Sequence, residues 1–182
     1  MTTFSDLTPG TWDVDASHSE LGFVARHLMV TKVRGQFKDF RATVVVGDQL
    51  EDSSVEATVQ LASVETGSPD RDGHLRSADF FDTDNNPEMT FRSTKVTADT
   101  LEGDLTIKGV TRPVVFDLSF NGVAKDPWGG TRAGFEASAE INRKDFGLTW
   151  NAAIEGGGVL VSDKVKINLD IQLVAAQVPA TV

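Results

Sequence analysis

Neither cysteine nor tyrosine occurs anywhere in the 182 residues. The first absence excludes disulfides, thiolate nucleophiles and cysteine-held metals. The second removes one common general acid. Histidine is sparse, at His18, His27 and His74, and no two of these have a recognised zinc-ligand spacing. Basic residues are in deficit, 17 against 27 acidic, for a formal net charge of -10. That balance argues against a nucleic-acid partner, which needs clustered Lys and Arg, and against general adsorption to anionic membranes. No stretch approaches the roughly 20 apolar residues of a membrane helix. The opening Met1-Thr2-Thr3-Phe4-Ser5-Asp6-Leu7 has neither the positive start nor the apolar run of a secretory signal, so a soluble, cytoplasmic protein is expected.

What is abundant is alternation. Val114, Phe116, Leu118 and Phe120 share one face of an extended run, as do the odd-numbered apolar residues from Val165 to Leu173. The same period of two appears in Val55, Ala57, Val59 and Leu61, and in Met89, Phe91 and Ser93. It returns in Leu101, Gly103, Leu105 and Ile107, and in Phe135, Ala137, Ala139 and Ile141. Residues 10–25 and 33–46 supply further strands. Turn signals punctuate these runs at Gly47-Asp48, Asp99-Thr100, Asp126 to Gly130 and Gly156-Gly157-Gly158. Many short strands with regular turns predict an all-β domain, and a closed antiparallel barrel of about eight strands removes the exposed edges of an open sheet. A barrel of that size either fills its interior with side chains or leaves room for one ligand. Small residues on apolar faces, among them Ser93, Gly103, Ala137 and Ala139, point to free volume.

Two segments break the pattern. Residues 25–33 read as a helical turn or a loop crossing a barrel end. Residues 68–87 predict a short helix, capped by Ser68 or Asp70 with Pro69 in its first turn, running to about Ala78. The domain is expected to span 10–175, with an N-terminal extension at 1–9 and a loose tail at 176–182.

Catalytic patterns are missing. No serine lies in a nucleophile elbow, Ser162-Asp163-Lys164 reads as a turn, and the triple glycine lacks the lysine and helix of a phosphate loop. Asp79 and Asp82 suit a solvated face. His18 is expected to bridge backbone groups where strand one turns into strand two, and His74 to find local partners in Asp72 and Ser77. His27, beside Arg26 and followed by Leu28-Met29-Val30, is the best placed for a role at the rim of an apolar cavity. It is the one feature favouring an alternative, an isomerase or hydrolase acting on an apolar substrate. A third reading, a module whose surface does the work, requires a fully packed interior.

A series of motifs runs along the chain: Trp12-x-Val14-Asp15-x-x-His18-Ser19, Val33-x-Gly35-x-Phe37-x-x-Phe40 and Asp72-x-His74-Leu75-x-Ser77-x-Asp79-Phe80-Phe81-Asp82. It continues with Gly103-Asp104-Leu105-Thr106-Ile107-Lys108-Gly109 and Ile141-x-Arg143-x-Asp145-Phe146-Gly147. In order and spacing the series resembles the YceI-like family of lipocalin-like polyisoprenoid-binding proteins. From the residues themselves no catalytic group, metal or cofactor is expected. The resemblance implies a lipocalin-like barrel and a homodimer. It also implies that a long isoprenoid, such as a polyprenyl phosphate or an isoprenoid quinone, fills the pore. The lining expected from alternation begins with Phe23, Leu28, Met29, Phe37 and Phe40 in the first third of the chain. It continues with Met89, Phe91, Leu105 and Ile107, then Phe116, Leu118, Phe120, Phe135 and Trp150. Arg26, His27, Asp72, His74 and Arg143 are the candidates for a headgroup rim, with Asp72 and His74 better suited to holding the helix and Arg143 to an Arg–Asp turn.

Overall fold

The computed structural model describes residues 4–152 and 160–176. Eleven strands follow the alternating runs: β1 (Gly10–Val14), β2 (Glu20–His27), β3 (Thr31–Phe37), β4 (Phe40–Val46), β5 (Ser54–Gln60) and β6 (Val64–Glu65), then, after one helix, β7 (Glu88–Val96), β8 (Thr100–Ile107), β9 (Val110–Lys125), β10 (Thr131–Asn142) and β11 (Lys164–Ala175). The helix is α1 (Pro69–Arg76). The Ser68 hydroxyl caps it by accepting from the Arg71 N–H, and Pro69 occupies the first turn, where a missing N–H costs nothing.

Every pairing is antiparallel. A ring of eight, β1-β4-β5-β7-β8-β9-β10-β11, closes where β1 meets β11, with Trp12 opposite Ala175 and Val14 opposite Leu173. The other half of β11 pairs instead with β2, from Lys166 opposite Val24 to Asp170 opposite Glu20. β2 continues into β3 and β3 into β6, so the seam forks. Register shifts leave Thr94 of β7 and Asn121 of β9 unpaired, putting bulges into those two strands, which supply the bending a closed sheet needs.

Residues 25–33 form neither a helical turn nor a crossing loop. β2 runs on to His27, a tight turn follows, and β3 begins at Thr31. The turn is closed by the Val30 N–H to the His27 carbonyl at 3.1 Å, with Leu28 and Met29 both left-handed at φ 54° and 59°. That is the hairpin arrangement usually given to Asn-Gly, so its residues carried no turn signal. The helix at 68–87 stops at Arg76, two residues short of expectation, because the Ser77 N–H and hydroxyl both turn back to the His74 carbonyl.

Candidate functional site: an apolar lumen

Alternation puts one residue in two of each strand inside the ring, and register sorts them into belts. Phe37, Leu21, Leu169, Ala137 and Leu118 lie side by side across five strands. Ala42, Ala57, Phe91 and Leu105 form a second belt, and Phe40, Val59 and Met89 a third. Between them is a cavity of about 300 Å³. Phe23, Phe37, Phe40, Met89, Phe91, Leu105, Ile107, Phe116, Leu118 and Phe135 all line it. Its lining among the described residues contains no acid and no histidine, only Arg41 and Arg143 as charged groups.

The space exists because the wall is locally thin. Ala42 and Ala57 face each other across β4 and β5. The tips of two phenyl rings abut glycines: a methyl on Gly35 would sit 2.3 Å from the Phe23 ring, and one on Gly103 would sit 2.4 Å from the Phe91 ring. Only glycine permits such an approach, and it keeps both rings against the wall rather than across the lumen. Phe91 is braced edge-on by Phe116, with centroids 5.5 Å apart. One end of the barrel is stoppered by Phe4, Phe120 and Phe135, whose rings are 4.8 to 5.9 Å apart. Under α1 a second cluster joins His74, Phe80 and Trp150.

Four of the expected lining residues stand elsewhere. Leu28 and Met29 sit on the hairpin tip, 39% and 56% exposed, because the turn carries them past the end of the barrel wall. Phe120 and Trp150 belong to the two end clusters rather than to the cavity wall. Ala42, Ala57, Gly35 and the α1-side residues Leu75 and Phe81 line or shape the lumen and were not anticipated there. Their small size or position beyond the strands hides them from an alternation pattern that looks for bulk.

The five rim candidates do not converge. Arg26 faces the outer side of β2, and its backbone N–H donates to the Ser162 hydroxyl oxygen. His27 is exposed and pairs through its backbone with Val161. Asp72 is buried, and both its contacts are with Thr66, accepting from that residue's N–H at 2.8 Å and its hydroxyl at 2.5 Å, so it ties α1 to the chain before it. His74 meets Asp79 at 2.8 Å. Arg143 alone reaches the lumen. It is buried, and its guanidinium donates to the carbonyls of Ser162, Leu148, Trp150 and Val161. Burial pushes its pKa down, and Asp163, 3.9 Å away, opposes that shift. With four of five N–H groups committed, it clamps the β10–β11 connection and has little left for a ligand.

His18 differs from expectation as well. Its Nδ1 lies 2.8 Å from Asp15, not on backbone groups. Asp15 also accepts from the Ser17 hydroxyl and from Arg132, and these bonds hold its carboxyl far below the usual carboxylate range. The Ser17 hydroxyl and the Asp15 carboxylate compete for the same ring nitrogen, so the trio is not a nucleophile–base–orienter relay. Among the described residues no group of three or more His, Asp or Glu is placed to hold a metal ion. No helix among them is long and apolar enough to cross a membrane.

Comparison with known proteins matches residues 12–173 to the family model described as the YceI-like domain. A UPF0312 protein of Staphylococcus epidermidis is 42% identical over 158 residues, 85% of this chain and 92% of that one. Among solved structures, the Campylobacter jejuni YceI protein is 31% identical, with a TM-score of 0.70 over 84% of this chain and 90% of that one. A polyisoprenoid binding domain from Saccharophagus degradans, described as implicated in plant cell wall breakdown, shares the fold at 17% identity and a TM-score of 0.71, over 91% and 98% of the two chains. By the span of the family match and the identity of its relatives, the chain belongs to the YceI-like family.

Proposed function

We propose that the protein binds an isoprenoid-type chain in the lumen of its barrel and carries or stores it. The observation that carries this reading is a closed ring around about 300 Å³ of empty space lined by aliphatic and phenyl side chains. That volume is at the lower end of small-molecule pockets, which run from about 300 to 1,000 Å³. It suits a short stretch of chain as it stands. A longer chain requires the Phe4, Phe120 and Phe135 stopper, or the ring cluster under α1, to turn aside. Each five-carbon unit moved out of water is worth roughly 3–4 kcal/mol at ~0.8 kcal/mol per methylene, which is ample for retention without any headgroup contact. Isoprenoid, rather than straight acyl, chemistry is supported by the fold shared with the Saccharophagus degradans domain. Three small side chains, Ala42, Ala57 and Ala137, are among the residues that line the lumen.

Binding without catalysis is part of the proposal. General acid–base chemistry needs a titratable group within hydrogen-bond reach of the substrate. The described lining offers only two arginines, one of them already saturated by carbonyls. No cofactor is part of the reading. A homodimer in the cytoplasm belongs to the same proposal, open to sedimentation velocity and cell fractionation.

The test is native mass spectrometry of protein purified without detergent, followed by lipid extraction. The wild type is expected to release an isoprenoid. Ala57→Phe fills the gap beside Phe91 and should abolish that occupancy while leaving the β-sheet circular dichroism unchanged. Phe91→Asp or Phe116→Asp should do the same less cleanly. Equal lipid recovery from wild type and folded Ala57→Phe would sink the reading.

A further inference from the structure

The β2–β3 hairpin combines three observations that the lumen does not use. Its tip, Leu28-Met29-Val30, exposes three consecutive apolar side chains, Val30 to 75%. Its backbone is left-handed at Leu28 and Met29, a conformation that L-residues with bulky side chains avoid. The chain has another pair of left-handed residues at the two-residue turn Lys108-Gly109, with glycine at the second position. Leu-Met is therefore a choice against local stability, and such choices gather where a function needs the side chain.

The third observation is charge. Immediately behind the tip, Arg26 and Lys32 are directly opposite each other on β2 and β3, with Arg34 two residues further back. They share one outer groove of about 1240 Å³ with Met29, Lys164 and Lys166. Arg34 is opposite Val24, which is opposite Lys166, so the cations form one contiguous patch across three strands. Lys164 is answered by Glu140 at 3.5 Å. The same lining carries six acids: Glu140 and Asp163 stand near Lys164, Asp117 is opposite Ser138, and at the groove's far end Glu20, Asp170 and Glu136 stand in a row. A chain with net charge -10 thus gathers five of its 17 basic residues in the groove that begins at this exposed apolar tip.

We infer that this hairpin docks the protein on an anionic lipid bilayer, with Leu28, Met29 and Val30 entering the interface and the basic patch resting on the headgroups. Apolar insertion and local basic charge are the two signals that reversible surface attachment needs. The acidic remainder of the surface is repelled by such a bilayer, so the protein is oriented with the hairpin down. That orientation also brings a lumen wall to the membrane. Phe23 and Ala25 on the same strand line the cavity, as does Val161, the backbone partner of His27. Docking stands on the hairpin alone and does not depend on what the lumen holds.

The experiment is co-sedimentation of the purified protein with phosphatidylcholine vesicles, with and without phosphatidylserine, at low and high salt. The wild type is expected to sediment only with the anionic vesicles, and to be released by salt. The double variant Leu28→Asn, Met29→Gly installs residues the turn prefers, so its fold is secure, and it should lose vesicle binding about tenfold or more. Arg26→Gln, Lys32→Gln, Arg34→Gln should lose it to a similar degree. Absence of wild-type binding at low salt, or unchanged binding in both variants, would overturn the inference. So would a change of oligomeric state in the Asn-Gly variant, which would mark the tip as a protein contact. Lipid extraction from the same samples keeps the two readings apart. Docking variants that still carry lipid leave the lumen proposal intact, whereas a wild type that docks but carries none refutes the lumen proposal alone.

Discussion

Four of the five Arg143 N–H groups end on backbone carbonyls, so removing this side chain strands several buried acceptors at once. Arg143→Met is expected to lower the unfolding free energy by about 3 kcal/mol or more in urea denaturation. A loss below about 1 kcal/mol would mean that water replaces the guanidinium freely. Asp15 gives a pH-dependent counterpart. Its carboxyl is lowered first by the Ser17 hydroxyl, then by Arg132 and His18. A depressed folded pKa contributes stability that is fully present above the unfolded value, about 4, and disappears as the pH falls through the lowered value. Asp15→Asn should therefore melt earlier than wild type near neutrality, with the gap narrowing in acid. A gap independent of pH would refute the account. Neither role was legible from the sequence. A hydrogen-bond network joining Asp15 to Arg132, or Arg143 to Trp150, is a product of the closed ring and leaves no periodic trace.

Among the elements, the strands were readable because burial imposes a period of two on their composition. The helix was readable because Ser68-Pro69 is a start signal with a physical cause. The β2–β3 hairpin was not, since recognising a hairpin turn depends on finding glycine or asparagine and this one presents Leu28-Met29. The same blind spot displaced two residues from the expected lining. Ten of the fourteen expected lining positions do face the cavity, because alternation identifies the inner face reliably. Alternation says nothing about whether that face is full. The answer lies in wall pairs such as Gly35 with Phe23. Gly35→Ala should force the Phe23 ring off the wall, cost roughly 1–3 kcal/mol, and reduce lipid occupancy. Phe23→Ala in the same chain should relieve the clash, giving a double-mutant cycle far from additivity. Additive effects would show that the ring has another place to go.

For the molecule as a whole, the notable feature is how it is closed. The barrel is fastened by β11 alone, whose 12 residues hold β10 along one side and divide the other between β1 and β2. Among the described strands it is the last to be synthesised. A nascent chain short of it is an unfinished curved sheet, with bare hydrogen-bonding edges on β10, β1 and β2 and its greasy inner face open to water. The hazard of misassembly therefore lasts until the 12 residues of β11 are in place. A truncation that spares every lumen-forming strand but this one should yield an aggregate, not a leaky barrel.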